Sequence, residues 1–144
     1  MNPAFERIRR QIESKEIASA LLEIREIEQT AKGSPRLAVL KAMCLQLSEA
    51  DGPLEDVHSA LQQALLLNDE YVEAHLEMGW FLYAVQDQTK DAQEAFERAL
   101  HLLRKQNSEV IRGLLACAEE LAPETNQDAL RAELERRLLA STKP

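Results

Sequence analysis

The chain of 144 residues has room for one domain, or for a short repeat array that behaves as one. Four Gly, five Pro and 4% aromatic residues leave little material for a β-sheet, and a formal charge of −8 disfavours a general nucleic-acid surface, which needs positive charge to neutralise phosphates. No apolar run resembles a leader or reaches membrane-spanning length, so the expectation is a cytoplasmic protein with no membrane partner.

At the start of the chain, Asn2-Pro3 predicts a capped first helix whose inner stripe is Phe5, Ile8 and Ile12. The polar Glu13-Ser14-Lys15-Glu16 leads into a second helix carrying Ile17, Ala20, Leu21, Ile24 and Ile27, which stops near Lys32-Gly33. From Pro35 a third helix carries Leu37, Leu40, Met43, Cys44 and Leu47 and is punctuated at Asp51-Gly52-Pro53. A fourth follows with Leu54, Val57, Ala60, Leu61, Ala64 and Leu65, and Asn68-Asp69 breaks the pattern and caps what comes next.

From Glu73 to Leu103 the spacing predicts a helical hairpin. Its first helix has a broad apolar arc with Leu76, Met78, Gly79, Trp80, Leu82 and Tyr83; its second has a narrower stripe of Ala92, Ala95, Phe96, Ala99, Leu100 and Leu103. Gly79 inside a helix costs about 1 kcal/mol relative to Ala, so its presence predicts close approach of a neighbouring helix. The polar Lys105-Gln106-Asn107-Ser108 then predicts a break, with Ser108 capping a helix of Val110, Ile111, Leu114, Leu115, Ala118 and Leu121. Beyond Ala122-Pro123 an eighth helix, with Ala129, Leu130, Leu134 and Leu138, reads as a terminal cap with a charged outer side.

A fixed period relates the central helices. Leu40, Met43, Cys44 and Leu47 fall on His75, Met78, Gly79 and Leu82 at an offset of 75 − 40 = 35, and Ala60, Leu61 and Ala64 fall on Ala95, Phe96 and Ala99. The first and fourth units fit this period less well. With His75, Met78-Gly79, Leu82, Ala92, Phe96 and Ala99 in place, the hairpin resembles a tetratricopeptide repeat; Met43-Cys44, Leu47, Val57, Leu61 and Ala64 match the same pattern more loosely. His75 stands for the usual tryptophan and Leu82 for the usual tyrosine. The resemblance implies an all-α fold: a right-handed superhelical stack of antiparallel helix pairs, about eight helices in one domain spanning 1–144, with repeat-like units at 3–33, 35–68, 70–105 and 108–140.

The resemblance also implies a concave groove that holds a peptide or helix of a protein partner, as in an adaptor or scaffold. In its register the groove is lined by Lys41, Leu45 and Ser48, then Leu76, Glu77, Trp80 and Tyr83, continued by Ile111, Arg112 and Leu115. Trp80 and Tyr83 have two readings, as contact residues for a partner or as packing against the adjacent unit. Two further roles stay open, a chaperone for a secreted or assembling protein and a self-associating subunit. Cys44 and Cys117 have no metal-ligand spacing and read as buried reduced thiols. His58, His75 and His101 are scattered, and no glycine-rich phosphate loop or converging Ser/His/Asp set occurs, so no cofactor, metal or catalysis is expected.

Overall fold

The computed structural model describes residues 2–30, 33–48 and 54–141, with seven helices and no strand among them: α1 (Pro3–Glu13), α2 (Ile17–Thr30), α3 (Pro35–Leu47), α4 (Leu54–Leu67), α5 (Val72–Ala84), α6 (Thr89–Leu121) and α7 (Gln127–Ser141). The predicted punctuation at Asp51-Gly52-Pro53 and the predicted stop at Lys32 lie outside the described residues. The chain divides into two compact units, Met1–Ala99 and Leu100–Pro144.

Local chemistry sets most helix ends. Asn2 Oδ1 accepts from Ala4 N at 2.9 Å with Pro3 in the first turn, and Ser34 Oγ accepts from Leu37 N at 3.2 Å with Pro35 after it. Gly33 adopts φ +91°, a left-handed conformation that other residues reach only with strain. Between α4 and α5, Asn68 Oδ1 accepts from Glu70 N at 3.0 Å. The cap position itself is Tyr71, whose side chain makes no capping bond, so Asn68 closes the turn rather than the helix. His75 Nε2 donates to Asp69 O at 2.7 Å and braces the same turn.

In the first unit α3 is the central element, packed against α1, α2, α4 and α5. Leu37, Leu40 and Cys44 join Ile8, Ile12, Ala20 and Ile24 in one apolar core. Ala38, Val39 and Ala42 turn the other way and join Val57, Ala60, Leu61, Ala64, Ala74, Met78 and Phe81 in a second. The small residues let the helices approach, while each buried Ile or Leu contributes about 1.5–3 kcal/mol on transfer from water. Burial pushes the Cys44 thiol up to about 11, so it is inert as a nucleophile near neutral pH. Around this core, ion pairs Arg7–Glu23, Arg36–Glu6 and Lys41–Glu28 link neighbouring helices, and Arg36 also lies 5.6 Å from the centroid of the Phe5 ring.

In the second unit Ile111 and Leu115 of α6 pack with Leu134 of α7, with Leu130 and Leu138 at the margin. Asn126 Oδ1 caps α7 through Ala129 N at 3.1 Å, and Gln127 Nε2 donates to Leu115 O at 3.4 Å.

Two expectations fail along α6. The break at Lys105–Ser108 does not occur, and the helix continues from Thr89 to Leu121, giving seven helices rather than eight. Lys and Gln are good helix formers and Asn and Ser cost well under about 1 kcal/mol each, so with neither Gly nor Pro present nothing forces a stop. The fourth unit therefore starts inside a helix, with Ser108 as an interior residue. Cys117, read as buried, is exposed.

Candidate protein-docking face

The α5 helix has one buried and one open side. Val72, Ala74, Met78, Gly79 and Phe81 are buried. Opposite them, Glu73, Leu76, Glu77, Trp80 and Tyr83 share a face at helical spacing, and Trp80 and Tyr83 remain 56% and 53% exposed.

Gly79 shapes this face from behind. A Cβ at position 79 would lie 2.7 Å from the Phe96 ring of α6, so the missing side chain makes room for that ring. Phe96 then meets Trp80 edge-to-face, with centroids 5.1 Å apart and planes at 75°. Trp80 in turn meets Tyr83 at 6.1 Å and 76°. Edge-to-face pairs of this kind are worth about 0.5–1.5 kcal/mol beyond area burial, so the rings hold one another without being covered. The result is an aromatic platform in an open setting.

Beside it, Glu77 is half-buried, and desolvation raises its carboxyl above the usual range. A raised folded-state pKa means that stability is fullest at low pH and falls as pH rises from the unfolded value toward the folded one. Glu77→Gln is therefore expected to raise the melting temperature at pH 7 and to flatten the pH dependence of stability above about pH 4.5, read by circular dichroism melts across a pH series. An unchanged melt at both ends of the series would count against this assignment.

Comparing equivalent positions shows what is unusual here. At the 35-residue offset, Ala38, Ala42 and Leu45 of α3 correspond to Glu73, Glu77 and Trp80 of α5. Ala38 and Ala42 are buried in the second core and Leu45 packs partly against it. The α5 residues carry two carboxylates and an indole, and none of the three is buried.

The other predicted groove residues divide among separate surroundings. Lys41 Nζ sits 3.1 Å from Glu28 Oε1, and Lys41 and Leu45 line a 330 Å³ cleft with Arg25, Glu28, Ser59 and Gln63. Ser48 lines a different cleft, of 720 Å³, with Ile12, Ile17, Leu21 and Leu47. Ile111 and Leu115 are buried in the second unit's core, so they are packing residues there rather than groove residues; Arg112 beside them is exposed. Phe96, absent from the predicted set, belongs to the platform. The pairing of Gly79 with an aromatic on the next helix was the signal for it.

Among the described residues no helix is long and apolar enough to cross a membrane, and no group of three or more His, Cys, Asp or Glu side chains is placed to hold a metal. Comparison with protein-family models, with curated proteins and with solved structures gives no match, so the face is interpreted from its own chemistry.

Proposed function

We propose that the protein is a binding module built as a short tetratricopeptide-like stack, which holds a segment of a partner protein against the open face of α5. The observation that carries this is that Glu73, Glu77 and Trp80, none of them buried, stand where α3 carries Ala38, Ala42 and Leu45 packed in or against the second core, with the exposed Tyr83 beside Trp80. Exposed Trp and Tyr supply large contact area at low entropy cost, and such residues dominate binding energy where partners meet. The two carboxylates beside them favour a segment that brings Lys or Arg along with apolar side chains; a cation there would also relieve the desolvated Glu77. The stack itself is supported by the placement of α3 against both preceding and following helices and by the shared 35-residue register of α3–α4 and α5–α6. Catalysis and cofactors have no part in this proposal.

The test uses the only tryptophan in the chain as its reporter. Wild type and the Trp80→Ala/Tyr83→Ala variant are compared as baits in native extract, with melting curves run alongside. The expected result is a partner retained by wild type and lost by the variant, a melting temperature lowered by only a few degrees through the lost ring contacts, and a blue-shifted Trp80 emission in the purified wild-type complex. Identical capture by both baits, or a large loss of stability in the variant, would assign the rings to packing instead.

A further inference from the structure

Trp80 and Tyr83 do more than present apolar area, because their rings stand nearly perpendicular. The planes meet at 76° with the centroids 6.1 Å apart. Two ring faces at right angles, each about 4.5 Å from one shared cation, have centroids roughly 6.4 Å apart, so the spacing suits a corner that seats a compact cation against both rings. Phe96 is placed differently. Its centroid lies only 5.1 Å from that of Trp80, too close to admit a group between them, and it serves to hold the indole at its angle. Trp80 and Tyr83 are both more than half exposed, so a group from outside can reach the corner.

Charge favours a cation there. Glu77 and Glu73 stand one and two turns before Trp80 on the same face, and α5 contains neither Lys nor Arg. On α6, the side chains within about 60° of Phe96 around the helix in the adjoining turns are Ala92, Gln93, Ala99 and Leu100, which add no positive charge. Neither carboxylate is ion-paired among the described residues, and Arg36, which acts with Glu73 on the Tyr71 hydroxyl, is held by Glu6 at 2.6 Å. The shape of the corner then selects among cations. A guanidinium is a flat plate that stacks on one ring face at a time, and a free ammonium is a strongly hydrated point charge whose three donors find no strong acceptor on either ring. A trimethylated ammonium keeps its charge, has no donor to satisfy, and is tetrahedral, so its methyl groups meet two perpendicular faces at once.

We infer that the corner of Trp80 and Tyr83, with Glu73 and Glu77 beside it, is a binding site for a trimethylated lysine side chain carried by the partner segment. This rests on α5 as the docking face and adds the identity of the group docked there.

The probe is the acetylated pentapeptide amide Ala-Leu-Lys-Ala-Ala with its lysine trimethylated, titrated into the full chain and followed by the emission of the single tryptophan and by the peptide's N-methyl proton signal. The expected Kd is on the order of 1 mM, with the N-methyl signal shifted upfield by the ring currents, the unmodified-lysine and arginine peptides at least about fivefold weaker, and choline, which lacks the apolar flank, about threefold weaker. Tyr83→Phe should keep the affinity within about twofold, whereas Tyr83→Ala lowers it at least about fivefold and Glu77→Gln about threefold, all with unchanged helical content. Equal binding of the unmodified-lysine or arginine peptide, of a peptide with a neutral tert-butyl group in place of the trimethylammonium, or of choline would overturn the proposal. So would full affinity in Tyr83→Ala. No binding of the probe, while capture from extract still depends on Trp80 and Tyr83, would reject the trimethyllysine site and keep the docking face; capture that ignores both rings would reject the docking face itself.

Discussion

Phe81→Ala is expected to lower the unfolding free energy by about 3–5 kcal/mol, read as a fall in the urea midpoint at unchanged slope. Phe81 is the largest fully buried side chain among the described residues, and its ring centroid lies 6.2 Å from that of His58. Its core partners include Ala38, Ala42, Ala60, Ala64 and Ala74, whose side chains are too short to move into the vacated space. The cavity therefore persists, which places the cost toward the upper part of the range for aromatic truncation. The next residue supplies the control. Trp80 is a larger aromatic but more than half exposed, so Trp80→Ala should cost about 1–2 kcal/mol, chiefly its two edge contacts with Tyr83 and Phe96, and clearly less than Phe81→Ala. Comparable losses at the two positions would mean that Trp80 is a core residue, and the binding role proposed for it would fail.

The contrast between Phe81 and Trp80 also marks where sequence patterning stops being informative. Helix starts at Pro3 and Pro35 were legible because their signals are local: Asn2 and Ser34 bond to amides two or three residues away. The register of the repeat resemblance put Glu77, Trp80 and Tyr83 on one side of α5, but it left Trp80 and Tyr83 between partner contact and internal packing; in the structure both are more than half exposed. The burial of Phe81 was not legible, because α5 is apolar on nearly all sides and the 35-residue offset places Phe81 on Gln46, which gives no hint of burial. The continuity of α6 was hidden by a polar tetrad that lacks any true helix breaker. On that same helix, two apolar stripes merge into one broad pattern, and only the packing of α7 separates buried Ile111 and Leu115 from exposed Val110, Leu114 and Cys117. Partition between faces is a tertiary fact that one-dimensional periodicity does not carry.

Gly79→Leu is expected to cost about 1–3 kcal/mol through overpacking, despite the roughly 1 kcal/mol gained in helix propensity when glycine is replaced. Three ring atoms of Phe96 lie 2.7–2.9 Å from where the first side-chain carbon would stand, and no real Cβ tolerates that approach. The ring must therefore move, and its edge contact with Trp80 moves with it. Gly79→Ala separates the two effects: Phe96 is only half-buried and can tilt outward, so propensity gain and ring displacement should nearly cancel while Trp80 emission still shifts. If the clash is the cause, Phe96→Ala should recover most of the stability lost in Gly79→Leu, giving a coupling of about 1 kcal/mol or more in a double-mutant cycle. Additive losses would show that α5 and α6 are not held together through this contact. The aromatic platform would then lose its physical support, because the missing side chain at Gly79 is what admits the Phe96 ring to its edge contact with Trp80.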